Sequence, residues 1–293
     1  MTSRRPAAAG LAYSPYVTGK HTFRVRERHV AEHVAPLISS NAAGAAKLDL
    51  VLRGIALLPA HAGNKRPPGL VLPRITYERL HDLCRPASAY LTTVPEDEFP
   101  DTATLEAKRT WVGEQLLRLE ELNLVRREPR PGRRPYIFVL RDDGSGNLFD
   151  DPDGKPGNSY VTLSGSIVAR YFPFWGAPEL AAYMAAMVAE RYERGRAPGM
   201  PLGGGTWYQP LRWFADEAGE RPAGHVRIPF STRTLERGFT ALRKDGLVVV
   251  TRTMRRPGGG RFTQVRSVYT NRFDTVDLAT TAAAAAAATP SRA

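Results

Sequence analysis

The chain has 293 residues and a formal net charge of +12, so it can form two domains and favours a polyanionic partner such as nucleic acid. The alternative explanation of this charge is a general enrichment in arginine, which would scatter the cations over the surface. A single cysteine, Cys84, excludes an internal disulfide framework, and no apolar run approaches the ~20 residues that a membrane-spanning helix needs.

Composition divides the chain into two domains flanked by segments of low apolar content. The predicted segments are an N-terminal arm (1–44), a first domain (45–141), a linker rich in Gly, Pro, Asp and Asn (142–165), a second domain (166–278) and a disordered alanine-rich tail (279–293). Within the arm, residues 21–34 carry alternating charges, and this pattern fits a strand as well as a short helix.

The first domain shows three helical patterns followed by a hairpin. Apolar residues at helical spacing predict the helices, and a Pro-Gly turn between two short extended runs predicts the hairpin. The predicted elements are helices over 45–61, 74–84 and 101–123, the last capped by Asp101 or Thr102, and a β-hairpin over 124–140.

The second domain shows a similar order more clearly. The predicted elements are helices over 178–194, 206–219 and 231–246, a short strand over 225–230, and two strands over 247–256 and 261–271 joined by a Gly-rich turn. Leu235, Phe239 and Leu242 form the apolar face of the third helix. Ser231 or Thr232 is expected to cap its start.

This order of elements is that of a winged helix-turn-helix, in which the third helix enters the major groove of DNA. We therefore predict an α+β, mainly helical fold with two tandem winged helix-turn-helix domains and β-hairpin wings. An internal repeat supports two such units, because their third helices align without gaps. The alignment places Trp111 and Val112 on Thr234 and Leu235, Leu116 on Phe239, Leu119 on Leu242, and residues 123–125 on 246–248.

Arginines concentrate on the two hairpins and on the polar faces of the two third helices. Hairpin cations can reach phosphates, whereas a helical arginine can read guanine and Thr240 can contact a thymine methyl group. A solvated helix face is the alternative, because Glu106, Glu114 and Glu236 dilute the charge. The predicted DNA-binding residues are Lys108, Arg109, Gln115, Arg118, Arg130, Arg133 and Arg134 in the first domain, and Arg233, Arg237, Thr240, Lys244, Arg255, Arg256 and Arg261 in the second.

Catalytic and cofactor signatures are missing from the sequence. It contains no Gly-x-x-x-x-Gly-Lys-Ser/Thr phosphate loop, no His-Glu-x-x-His zinc motif and no Cys/His zinc-finger spacing. We therefore predict a protein that is not an enzyme and holds neither a cofactor nor a metal ion. We also expect no signal peptide and no membrane partner. The expected location is the cytoplasm, in association with the nucleoid.

Residues 45–273 resemble, in architecture, the plasmid replication initiators, which carry two winged helices and bind repeated origin sequences. The segment 231–250 contributes to the resemblance. Its Leu-x-x-x-Gly-Leu-Val pattern at 242–248 also occurs in winged-helix transcription regulators, so the pattern supports the fold more than the function. Residues 21–34 are shorter than the long helix that often leads into the first unit of the initiators.

Three hypotheses of function follow. A replication initiator of a plasmid or mobile element would place both units on origin repeats. A transcription regulator would bind an inverted repeat in a promoter operator as a homodimer. In the third hypothesis, the two units dock proteins rather than DNA. The expected partners are double-stranded DNA, a second copy of the chain, and host replication or transcription proteins.

Overall fold

The structure, a computed structural model, describes residues 22–57, 69–71, 75–84, 105–152, 159–196, 204–214, 228, 230–255 and 264–273. Within these ranges the fold is α+β, with small antiparallel sheets. The helices are α1 (27–39, made of Glu27–His29, a π-helical stretch Val30–Val34 and Ala35–Ser39), α2 (Ala43–Ala56), α3 (Tyr77–Cys84), α4 (Leu105–Glu121), α5 (Gly165–Tyr171), α6 (Ala177–Arg196) and α7 (Thr232–Lys244). The strands are β1 (Thr22–Arg26), β2 (Leu70–Val71), β3 (Val125–Arg130), β4 (Arg133–Val139), β5 (Tyr160–Ser164), β6 (Thr206–Trp207), β7 (Val248–Arg255) and β8 (Gln264–Asn271).

The first unit consists of α2, β2, α3, α4, β3 and β4 in chain order. Strands β3 and β4 form an antiparallel hairpin, and β2 pairs with the other edge of β4, which gives the strand order β2-β4-β3. The three helices pack on one another around buried side chains that include Leu80, Leu116 and Leu119. The proposed cap residues of the third helix, Asp101 and Thr102, lie outside the described residues.

The second unit repeats this order with α6, β6, a single 3₁₀ turn, α7, β7 and β8. Strands β7 and β8 pair along their whole length, and β6 pairs with the other edge of β8, so the strand order is β6-β8-β7. Helix α7 packs on α6. The two units therefore share their first and last helices and their strand order, but within the described residues the second has a 3₁₀ turn where the first has α3.

The edge strand is placed in the same way in both units. The amide of Val139 donates to the carbonyl of Gly69 at 2.8 Å, and the amide of Asn271 donates to the carbonyl of Gly205 at 2.9 Å. Gly69 has a φ of +69°, and a Cβ there would lie 2.5 Å from the carbonyl oxygen of Val139. Only glycine fits this backbone conformation and this close approach.

The ends of α4 and α7 are also alike, as the internal repeat predicts. Asn123 and Gly246 follow the two helices with φ values of 55° and 72°. In each unit the amide of the following leucine donates to the carbonyl of the residue five positions earlier, at 2.9 Å. A residue in the left-handed region ends the helix here and directs the chain into the first strand of the hairpin.

The helix predicted over 206–219 is wrong within the described residues. Thr206–Trp207 form strand β6, and Leu211–Trp213 make one 3₁₀ turn. Pro210 explains the difference, because a proline disfavours the helical conformation in the residue before it and has no N–H group to continue a helix. The extended backbone before Pro210 is therefore available to pair with β8.

Trp207, which lies in the segment predicted to be helical, belongs to a strand and is part of the core. It is buried and stacks on Tyr269 of the neighbouring strand, with ring centroids 4.1 Å apart. Of the strand predicted over 225–230, the structure describes Ile228 and Phe230, and both are buried without belonging to a strand. Tertiary packing, rather than the local pattern, decides how these apolar residues are used.

Helix α6 is the central helix, since every residue from 180 to 190 is buried. It contacts α7 and β6 of the second unit, and also β5 and the end of α1. Its two buried carboxylates accept hydrogen bonds from the second unit, Glu190 from Asn271 at 2.7 Å and Glu193 from Gln209 at 2.5 Å. These bonds satisfy polar groups that would otherwise be costly to bury.

Parts of the predicted arm and linker form regular structure between the two units. Strand β1 pairs antiparallel with β5, and residues 21–34, for which the sequence allowed a strand or a helix, contain both β1 and the first part of α1. A second link is Lys47 of α2, which is buried and donates to the carbonyl of Trp175 just before α6. The two units are thus joined by a sheet and by a buried hydrogen bond.

A buried ionic cluster connects α1, α2 and the segment after β4. Asp49 accepts from Arg53 at 3.0 Å and lies 2.5 Å from His29. Arg26 donates to Asp142 at 2.6 Å. Burial raises the pKa of Asp49, but the charges and hydrogen bonds of Arg53 and His29 outweigh this effect and hold it well below its usual value.

Candidate nucleic-acid interface

The seating of α7 begins with its N-terminal cap and its apolar face. The hydroxyl of Ser231 accepts a hydrogen bond from the amide of Thr234 at 3.1 Å, so Ser231 is the cap. Leu235, Phe239 and Leu242 are buried, as their helical spacing predicts. The helix therefore turns one defined face to the core and leaves the opposite face to solvent.

A close contact between backbones fixes α7 against the start of α6. A Cβ built on Gly238 would lie 1.9 Å from the carbonyl oxygen of Pro178 and 2.7 Å from the Cβ of Ala182. The two helices approach closely because Gly238 has no side chain. This crossing sets how far the outer face of α7 projects from the unit.

The outer face of α7 carries a cationic stripe, which we define as Arg233, Arg237, Thr240 and Lys244. These residues follow one another at spacings of four, three and four, and all are exposed. Among the described residues, none of the three cations forms an ion pair. The hydroxyl of Thr240 donates to the carbonyl of Glu236 at 2.7 Å, so this residue presents its methyl group rather than a free donor.

One further cation of the second unit was not among the predicted contacts. Arg243 is exposed beside Lys244 on α7. Arg252, one of the hairpin arginines predicted to reach phosphates, is exposed on β7. The helical spacing of α7 would have identified Arg243, whose position neighbours the stripe. Of the predicted hairpin residues, Arg255 ends β7, where the structure describes the backbone, and Arg256 and Arg261 lie outside the described residues.

The predicted contacts on α4 have a different environment, and Gln115 is wrong as an exposed contact. Its side chain is 5% exposed and faces α2 beside Gly44. The internal repeat gives the reason, because Gln115 aligns with Gly238, the residue of α7 that faces α6. Arg118 is exposed.

Carboxylates of α3 neutralise the two cations at the start of α4. Lys108 donates to Asp82 at 2.9 Å and is half-buried, and Arg109 donates to Glu78 at 2.6 Å. Burial raises the pKa of Glu78, but hydrogen bonds from its own amide, from Thr76 and from Arg109 lower it to about 2. Both carboxylates are therefore ionised at neutral pH. They neutralise the positive charges of Lys108 and Arg109, which were predicted to bind DNA.

The outer face of α4 lacks the cationic stripe altogether. The ungapped alignment places Thr110, Glu114, Leu117 and Glu121 at the positions of Arg233, Arg237, Thr240 and Lys244. All four α4 residues are exposed, and the side chain of Leu117 is 51% exposed. This face therefore carries exposed carboxylates at two positions where α7 carries cations.

The hairpin of the first unit keeps its cations at the surface. Arg133 and Arg134 are exposed, and Arg134 lies 3.6 Å from Glu78. The guanidinium of Arg130 lies 4.3 Å from the ring centroid of Tyr136, a cation–π contact that restrains the side chain without neutralising it. Among the described residues, the cations of the hairpin and α4 without an ion pair are thus Arg130 and Arg133 on the hairpin and Arg118 on α4, whereas Arg126 and Arg127 pair with Glu128 and Glu120.

Comparison with protein-family models, with curated proteins and with solved structures gave no match. No helix in the described ranges is both long and apolar enough to cross a bilayer. In the same part of the chain, no three side chains of His, Cys, Asp or Glu come together in a way that could hold a metal ion.

Proposed function

We propose that the chain binds double-stranded DNA through two tandem winged-helix units and that α7 is the recognition helix of the second unit. The cationic stripe on α7 carries this proposal, because it is exposed and its cations lack ion pairs to other described residues. The order of elements and the matching strand orders of the two sheets support the winged-helix assignment. Such a helix is placed to enter a major groove.

The length and polarity of the stripe fit this role. The helix rises about 16 Å from residue 233 to residue 244, and the major groove of DNA is ~12 Å wide. The stripe is therefore longer than the groove is wide. Recognition helices contact base edges mainly through their N-terminal residues, so Arg233 and Arg237 are the proposed base readers. Lys244 and Arg243 near the C-terminal end would then reach phosphates.

The hairpin that follows α7 would bind beside the groove. Strand β7 begins four residues after the end of α7, and it exposes Arg252. A hairpin in this position reaches the phosphate backbone next to the recognition helix. Contacts of this kind add affinity that depends on salt but not on sequence.

We further propose a replication initiator of a plasmid or mobile element as the biological role. The two units lie in one chain, and the pairing of β1 with β5 and the hydrogen bond from Lys47 to Trp175 also connect them non-covalently. A single chain can then cover an asymmetric or directly repeated site, since linking two units raises their effective concentration on DNA. A transcription regulator is the alternative, and it requires a homodimer on an inverted repeat.

Retention of genomic DNA fragments by the full chain tests both levels of this proposal. We expect a small set of retained fragments with direct repeats near a replication origin, and loss of this enrichment for Arg237→Ala. Arg170→Ala is the matched control, because Arg170 is an exposed arginine on α5 outside both units. Inverted repeats in promoters would favour the regulator, and retention that is random or insensitive to Arg237 would refute sequence-specific binding.

A further inference from the structure

We infer that the two units make different contacts with DNA. The second unit contacts bases, and the first unit binds a backbone phosphate in a cleft beside its hairpin. This inference rests on the proposed DNA binding of the chain. It concerns a site in the first unit that involves neither α4 nor the cationic stripe of α7.

The first step is that α4 is unsuited to the major groove. Glu106, Glu114 and Glu121 are exposed on it, and Leu117 projects between the last two. Inserting this face would bring carboxylates towards two phosphate backbones and would bury them without partners. On α7 the positions aligned with Glu114 and Glu121 carry Arg237 and Lys244, with the exposed Glu236 beside them.

The second step is that the two cations at the start of α4 are already paired, which leaves Arg118 as the exposed cation of α4 without an ion pair to a described residue. Asp82 holds Lys108, and Glu78 holds Arg109. A phosphate that recruited either cation would have to displace a carboxylate whose hydrogen bonds are formed. Such an exchange returns little free energy, because one anion replaces another.

The third step is a cleft between β2, the start of α3 and the β3–β4 hairpin. Its volume is about 430 Å³. The residues that matter in it are the apolar Val71, Ile75 and Ile137 and the cationic Arg130, Arg133 and Arg134. Arg133 and Arg134 are exposed at this cleft, so a phosphate can reach them from solvent.

The chemistry of the cleft suits a phosphodiester. Arginine binds two phosphate oxygens through parallel N–H donors, and three arginines line this cleft. Glu78 pairs with Arg109 and also lies 3.6 Å from Arg134, so one carboxylate is shared between two arginines and the cleft keeps a net positive charge.

Selection from a random pool of duplex DNA by the full chain tests this division. We expect one contiguous block of specified bases, contacted by α7, with a flank that is protected but has no sequence preference. Two specified blocks about one helical turn apart, ~10 base pairs, would overturn the inference and leave DNA binding intact. A chain that retains no duplex would overturn the proposed function together with the inference.

Two variants measured on the selected duplex and on a scrambled duplex complete the test. Arg130→Ala combined with Arg133→Ala should weaken binding to both duplexes by a similar factor, about 10-fold, and lower the salt slope by about 1–2. Arg170→Ala, an exposed arginine of α5 outside both units, should leave both affinities and the selected sequence unchanged. A changed base preference in either variant, or unchanged affinity in the double variant, would contradict a phosphate cleft.

Discussion

Helices α4 and α7 occupy the same place in the two units, but they present opposite surfaces. Both bury the apolar positions that align in sequence, and both end at a residue with positive φ. On the exposed side, α7 has Arg237 and Lys244 where α4 has Glu114 and Glu121. The buried positions therefore specify the helix packing, while the exposed positions decide the partner, and the two can vary independently.

The buried cluster around Asp49 lies where the two units are joined, and Asp49→Asn should have the largest effect on stability. We expect a loss of about 3–5 kcal/mol in the free energy of unfolding, because Arg53 would stay buried without a carboxylate. The pKa of Asp49 is lowered by folding, so its contribution is present above about pH 4 and is lost as the pH falls through the folded pKa. Urea denaturation at pH 7 and at low pH measures both effects.

The control for this variant is Asp151→Asn, which removes a partner of Arg24 at the surface. That pair is exposed on both sides and joined at 3.4 Å, so the expected loss is about 0–1 kcal/mol. Equal urea midpoints for Asp49→Asn and Asp151→Asn would show that the buried cluster does not stabilise the junction.

Two glycines on the third helices give the next largest contrast. Gly238→Ala should lower stability by about 3 kcal/mol or more, because the new Cβ would overlap the carbonyl oxygen of Pro178 and force α6 and α7 apart. Gly113→Ala on α4 should raise stability by about 0.5–1 kcal/mol, since nothing lies within 4 Å of its Cβ. Thermal denaturation of both variants decides this, and a tolerated Gly238→Ala would disprove the close helix crossing.

Paired substitutions at aligned exposed positions test the division of function directly. Arg237→Ala should cost about 1–3 kcal/mol of binding on a selected duplex and relax base preference, because Arg237 is a proposed base reader. Glu114→Ala, at the aligned position of α4, should change affinity by less than about 0.5 kcal/mol. Fluorescence anisotropy titrations at fixed salt provide both values.

Either of two results would alter the comparison. A marked gain in affinity for Glu114→Ala would mean that α4 lies close to the phosphates after all. An equal loss for Arg237→Ala on selected and random duplex would reduce Arg237 to a phosphate contact.

The sequence was most informative where structure depends on local periodicity. The apolar spacing of Leu235, Phe239 and Leu242, and the cap at Ser231, follow from short-range patterns, and the structure has both. The helix predicted over 206–219 was wrong, because the pairing of β6 with β8 and the proline at 210 outweigh a helical pattern of apolar residues.

The candidate site was harder to predict because it depends on contacts between distant residues. Arg109 and Glu78 are separated by 31 positions, and no local pattern indicates that they pair. The burial of Gln115 follows from the alignment with Gly238, a signal that was present in the sequence but that needs the position of α2 to interpret. Charge along the chain therefore overstated the charge available on α4.

The smallest expected effect concerns the ends of α4 and α7, where a residue with positive φ follows each helix, Asn123 in the first unit and Gly246 in the second. Gly246→Ala should cost about 1 kcal/mol, because alanine is disfavoured at a φ of 72°. Asn123→Gly should change stability by less than about 0.5 kcal/mol, since glycine adopts this conformation easily but loses the 3.3 Å bond from Asn123 to the carbonyl of Gly144 and is more flexible when unfolded. Urea denaturation resolves a difference of this size between the two variants. If Gly246→Ala is as stable as the parent chain, the left-handed residue does not limit the second unit, and the similarity of the two helix ends has no energetic basis.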